Sequence, residues 1–208
     1  MSTRIKFCGC LNWADVSLAI DEGADAAGLI FARSPRQIDW SAVAEIAQRI
    51  GTSILPVGVF VNPSIEEVER ARWYLPELVV QLSGQESPDF ARAVGGSVVK
   101  TFHIAPGEQP KDLDSRVDAY SALPLFDTKI AGEWGGTGRS FDWSVLKVLA
   151  RARPIAVAGG LTAENVGELV RMVRPAWVDV RTGIETSGRK DAEKMHRFVH
   201  AVREADAA

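Results

Sequence analysis

Short apolar, β-branched runs recur along this chain, with helical patterns between them. The runs fall at 5–8, 26–31, 54–61, 78–82, 97–103, 123–127, 154–158 and 177–181. Their starts are spaced about 25 residues apart, room for one strand, one helix and two short loops. Eight such alternations predict an α/β fold of one domain, a (β/α)8 barrel, in a chain near that fold's lower limit of about 200 residues. An open doubly wound sheet usually has fewer strands and a glycine fingerprint after the first; Gly9 alone is not that fingerprint.

Local signals agree. Ser64 with Glu67 reads as a capping box opening a helix through Tyr74, and Ser87-Pro88 as an N-cap followed by proline at the first helical position. Asp142 and Thr162 are N-cap candidates for the sixth and seventh helices. In the last helix Met195, Phe198, Val199 and Val202 form one apolar stripe. The polar stretch 105–114 reads as a loop and a weak helix start. No linker or composition shift divides 1–208.

At 46% hydrophobic residues, the chain can bury a substantial core. Its net charge of -3, with both signs mixed throughout, offers no basic footprint for nucleic acid or an anionic membrane. No stretch is apolar for long enough to span a bilayer, and the first residues lack a signal-peptide core. Cys8 and Cys10 lie too close together for a disulfide framework, so a cytoplasmic setting is expected.

Cys8 and Asp127 each end an apolar run and are followed at once by loop residues. A thiol and a carboxyl at two strand exits of a parallel barrel face the end where such barrels carry their chemistry, as a proton-transfer pair. Glycine turns follow the last two strands, with Gly159 and Gly160 in one and Thr182 and Gly183 in the other. Loops at these positions often hold phosphate, because glycine lets backbone N–H groups approach its oxygens. The segment 132–138, which includes Gly136, suits a lid closing over substrate. His196 and His200 stand one helical turn apart but far from these loops, and read as surface residues. Cys8 and Cys10 lack the further ligands of a zinc site, so no metal is expected.

These pieces together resemble the phosphoribosylanthranilate isomerase family. The resemblance is carried by Lys6-Phe7-Cys8-Gly9, Gly23-Ala24-Asp25, Ser34-Pro35-Arg36, Val57-Gly58-Val59-Phe60-Val61-Asn62, Asp127-Thr128, Gly135-Gly136-Thr137-Gly138, Gly159-Gly160-Leu161, Val178-Asp179-Val180 and Gly183-Ile184-Glu185, in collinear order. It implies a single catalytic domain performing an Amadori rearrangement in tryptophan biosynthesis, without metal or redox cofactor, as a monomer or homodimer acting on a small phosphosugar. By the same resemblance Asp127 is the general acid, Cys8 the thiolate base and Arg36 the partner of the anthranilate carboxylate. Asp179 is expected to touch the sugar or support the site. A free thiol has a pKa of about 8.5, so Cys8 needs a nearby cation or backbone N–H groups to ionise near neutrality. Asp127 must instead hold a proton far above the usual value of about 3.9.

The chain departs from the family at Cys10-Leu11, at Ser83 where histidine is common, and at Arg181-Thr182, which replace a serine pair. Arg181 either strengthens a phosphate contact or points elsewhere. Two rival functions follow: the histidine-pathway sugar isomerase, which prefers an aspartate base and needs two phosphate sites, and a barrel that binds phosphosugar without turnover. Cys8 and the single obvious phosphate pair oppose the first, and the retained Cys8 and Asp127 oppose the second.

Overall fold

The computed structural model describes residues 2–104, 109–127 and 143–208. Eight parallel strands close into a barrel in sequence order. They are β1 (Arg4–Cys8), β2 (Ala26–Ile30), β3 (Leu55–Phe60), β4 (Val79–Leu82), β5 (Val98–His103), β6 (Leu123–Asp127), β7 (Ala156–Ala158) and β8 (Trp177–Val180). The ring is sealed where Arg4, Ile5, Lys6 and Phe7 run beside Trp177, Val178, Asp179 and Val180. Each strand is followed by a helix: α1 (Trp13–Asp21), α2 (Trp40–Arg49), α3 (Ile65–Tyr74), α4 (Pro88–Val94), α5 (Pro110–Asp118), α6 (Ser144–Ala152), α7 (Val166–Val173) and α8 (Ala192–Ala207). The expected (β/α)8 barrel is the fold of the chain.

Strand alternation divides the residues of β1 between two environments. Ile5 and Phe7 face the helices and are fully buried, and Phe7 meets Phe198 of α8 edge-on with ring centroids 6.2 Å apart. Lys6 and Cys8 face the barrel axis. Met195, Phe198 and Val202 carry the buried stripe of α8, with Val199 partly buried beside them. That helix also clasps the start of the chain: Asp206 accepts from the Thr3 N–H at 2.8 Å and its hydroxyl at 2.7 Å.

The capping box on α3 is complete. Ser64 accepts from the Glu67 N–H and Glu67 accepts from the Ser64 N–H. Ser87 caps α4, with Pro88 at its first position. Thr162 does not cap α7, which begins at Val166. Its carbonyl instead accepts from the Asn165 and Val166 N–H groups, closing a preceding turn. Asp142 lies outside the described residues; α6 starts at Ser144, after Trp143. Strand β7 is shorter than the apolar run 154–158, and Pro154 in that run has no N–H to pair. A hairpin that sequence reasoning passed over follows β8: β9 (Glu185–Thr186) pairs antiparallel with β10 (Arg189–Lys190). Ser187 and Gly188 turn it with φ of 51° and 77°, the left-handed conformations that a two-residue hairpin loop needs.

A buried ion pair fastens the loops after β3 and β4. Lys100 Nζ lies 2.7 Å from Glu86 Oε2, and Glu86 also accepts from the Asn62 and Gly84 N–H groups at 2.8 and 3.0 Å. Burial opposes the Glu86 charge, but the Lys100 and backbone donors win and hold the carboxyl below its ordinary value of 4.5. A group lowered in this way stabilises the fold above that value, and its contribution fades as pH falls through the folded pKa. Glu86→Gln leaves a buried ammonium without counter-charge and should cost about 3 kcal/mol near neutrality. Urea unfolding from neutral pH down to about pH 3 should then show a smaller acid-induced loss of stability in the variant than in wild type. Parallel pH dependences would remove the pair from this role.

Candidate active site

Because the strands are parallel, their C-terminal ends share one rim. Cys8 at the end of β1 and Asp127 at the end of β6 line the same cavity at that mouth, ≈ 300 Å³ in volume. Ser83, Thr101, Asp179 and Arg181 also line it. A deeper cavity of ≈ 200 Å³ inside the barrel shares Gln81 and Asp179 with the mouth, but its walls are mostly aliphatic. The titratable strand ends lie at the mouth.

Sequence reasoning alone passes over Lys6, which stands between Ile5 and Phe7 in an otherwise apolar run. The signal was parity, since residues two apart on a strand point the same way. Lys6 Nζ sits 2.8 Å from Asp179 Oδ2, and the two side chains are only 4% and 8% exposed. The residues are register partners across β1 and β8. The Lys6 ammonium also acts on the Cys8 thiol, pulling its pKa down. Gly28, the β2 neighbour of Cys8, makes room for both: a β-carbon there would lie 2.9 Å from Cys8 Sγ and 2.9 Å from Lys6 Cε.

Burial works against the ammonium of Lys6, but Asp179 and Cys8 overcome it and keep the group charged. For Cys8 the balance differs. Burial pushes the thiol above its ordinary value, Lys6 pulls it back, and Asp179 adds to the rise. The cation that a thiolate needs is therefore in place, yet burial outweighs it in this structure. Cys10 is a packing residue. It is fully buried, its sulfur lies 3.6 Å from the Phe7 carbonyl, and burial pushes it up to about 12.

Asp127 sits on the rim beside His103, its register partner on β5, with 3.9 Å between Oδ2 and the His103 Nδ1. Gln81, Ser83 and Thr101 form a polar band in the wall, with 2.9 Å between the two hydroxyl oxygens. Gln81 Oε1 and Asp179 Oδ1 are buried acceptors with no hydrogen-bond partner among the described residues.

Arg36 is placed differently from a residue that lines the cavity. Its guanidinium turns to Glu185, with Nε 3.1 Å from Oε1 and Nη2 on Oε2. Of the glycine turns, Gly159, Gly160 and Thr182 line the mouth, and the two glycines adopt φ of 94° and 65°. Gly183 lies behind them, where a β-carbon would fall 2.0 Å from the Leu161 carbonyl oxygen, so the two turns touch only because that atom is missing. Arg181 is exposed and lines the mouth. Gly136 and the glycine-rich segment around it lie outside the described residues. His196 and His200 each face a glutamate on the surface, Glu22 and Glu204.

Acid–base groups at the strand ends above an aliphatic interior are the construction of (β/α)8 barrel enzymes, and the chain is of that class. Comparison with known proteins narrows it. Residues 5–201 match the family model described as N-(5′-phosphoribosyl)anthranilate (PRA) isomerase. An N-(5′-phosphoribosyl)anthranilate isomerase of Leptothrix cholodnii is 40% identical over 99% of this chain and 93% of its own. The crystal structure of phosphoribosyl anthranilate isomerase from Thermotoga maritima superposes with a TM-score of 0.87 at 31% identity, covering 97% of this chain and 99% of that one. A phosphoribosyl anthranilate isomerase in complex with reduced 1-(o-carboxyphenylamino)-1-deoxyribulose 5-phosphate superposes at 0.84 with 28% identity over the same shares. The chain belongs to the N-(5′-phosphoribosyl)anthranilate isomerase family.

The charges around Cys8 make a prediction that needs no turnover. Lys6→Met removes the cation that lowers the thiol and should move the pH midpoint of iodoacetamide alkylation of Cys8 upward. Asp179→Asn removes a charge that raises it and should move the midpoint downward. Shifts of the same sign in both variants would contradict this balance.

Proposed function

We propose that the chain catalyses the Amadori rearrangement of N-(5-phosphoribosyl)anthranilate to 1-(2-carboxyphenylamino)-1-deoxyribulose 5-phosphate, in tryptophan biosynthesis. The observation that carries this reading is that Cys8 and Asp127 line one cavity. The family membership of the chain and the relative that binds the reduced product support it.

Asp127 gives a proton to the furanose oxygen as its bond to C1 breaks, and the nitrogen lone pair closes a Schiff base. The Cys8 thiolate then takes the proton from C2. The electron pair released moves into the C1–C2 bond, quenching the iminium and leaving an enolamine, which tautomerises to the ketone. Oxidation at C2 balances reduction at C1 within one molecule, so the chemistry asks for no redox cofactor. Lys6 is the cation that holds the thiolate, and the developing charge at Cys8 faces an ammonium already fixed by Asp179. Asp179 Oδ1 and Gln81 Oε1 are acceptors suited to sugar hydroxyls. The turns bearing Gly159, Gly160, Thr182 and Gly183 take the phosphate, with Arg181 adding a positive charge at the mouth. Arg36 takes the anthranilate carboxylate, for which a guanidinium fork is suited.

The reaction runs in the cytoplasm, where Cys8 and Cys10, both free thiols, stay reduced. No described helix is long and apolar enough to cross a membrane. The acting unit is a monomer or a homodimer.

The purified chain should consume phosphoribosylanthranilate, followed through the loss of its fluorescence. Cys8→Ser and Asp127→Asn should each lower kcat by about 10³-fold with the fold intact. Near-normal turnover by either variant would detach that residue from its role. No turnover by well-folded wild type would favour a binding protein.

A further inference from the structure

Glu185 has no part in the chemistry above, yet two of the groups named there hang on it. The hairpin sets Lys190 opposite Glu185, next to the end of β1. Glu185 Oε1 accepts from Arg36 Nε at 3.1 Å and from Lys190 Nζ at 3.0 Å, while Oε2 accepts from Arg36 Nη2. Lys190 Nζ also donates to the Cys8 backbone carbonyl at 2.5 Å. The backbone of Glu185 is held too, because Lys194 of α8 donates to its carbonyl at 2.8 Å. Burial opposes the carboxylate charge, and the donors from Arg36 and Lys190 overcome it and keep the group ionised.

This geometry has two consequences. A bidentate grip through Nε and Nη2 fixes the plane of the guanidinium and leaves the Nη1 N–H groups to a ligand. Two cations around one anion also leave the cluster net positive, so pairing with Glu185 does not cancel the attraction of Arg36 for a second carboxylate. We propose that Glu185 is a positioning residue. It presents Arg36 to the aryl carboxylate of the substrate and, through Lys190, pins the strand end that carries Cys8. This inference rests on the isomerase reading above.

The two arms should separate in steady-state kinetics with phosphoribosylanthranilate. Glu185→Gln should raise KM by about tenfold, because the neutral amide loses the charge-assisted grip on Arg36. In an Arg36→Met background the same change should leave KM within about twofold, since its effect on KM passes through Arg36. Lys190→Met should lower kcat several-fold, in the Arg36→Met background as well, and should raise KM less than Glu185→Gln does, through the lost positive charge of the cluster. Glu185→Asp, which keeps the charge one methylene short, should give a smaller KM rise than Glu185→Gln and covers the case in which the amide variant does not fold. A residue that served only the fold would raise KM equally with and without Arg36; that result, or an unchanged KM in Glu185→Gln, overturns the proposal. Wild type that turns over nothing would instead strike the isomerase reading itself, and this inference with it.

Discussion

The Lys6–Asp179 pair is the constraint on which the rest of the mouth depends. A barrel interior is ordinarily filled with branched aliphatic side chains, and two charges buried there carry a desolvation penalty that their attraction only partly offsets. Here the pair joins neighbouring strands β1 and β8 and is fitted against Gly28 of β2, where any side chain would strike both Lys6 and the Cys8 sulfur. Such a pair is a weak means of stabilising a fold. It does place an ammonium beside the Cys8 thiol that works against the upward push of burial, and it leaves one oxygen of Asp179 without a hydrogen-bond partner among the described residues. In the proposed reaction, electrostatic preorganisation of Cys8 accounts for an arrangement that packing alone does not.

Two further buried carboxylates hold the rim, each through a lysine. Glu86 and Lys100 tie the loops after β3 and β4, and so fix the wall that carries Ser83. Glu185, with Lys190, ties the loop after β2 to the hairpin after β8 and to the end of β1. The mouth is therefore fixed from behind by charge-assisted hydrogen bonds, while the surfaces that face the cavity remain available.

The barrel was legible in the sequence because its signals are local. Apolar runs mark the strands, and for β6 the run and the strand coincide at Leu123–Asp127. The Ser64 and Ser87 caps follow from residues within three positions of one another. Thr162 misled because Asn165, three residues on, bonds back to the Thr162 N–H at 2.9 Å and delays the helix. The site was legible in its outline, with Cys8 and Asp127 at strand ends, but its supports were not. Arg36 and Glu185 are 149 residues apart, and no local pattern joins them. Lys6 was hidden for a different reason. A strand read as an apolar run conceals which of its faces turns inward, and only the closed barrel shows that a charge lies on that face.

In the proposed reaction the Cys8 sulfur and the Asp127 carboxyl act on one sugar. A crystal structure of this chain with the reduced product analogue tests it most directly. The sulfur should lie against C2, the Asp127 carboxyl against the oxygen on C4 that once closed the ring, and the phosphate in the turns of Gly159, Gly160 and Thr182. A ligand that touches only one of the two groups, or lies outside the mouth, would contradict it.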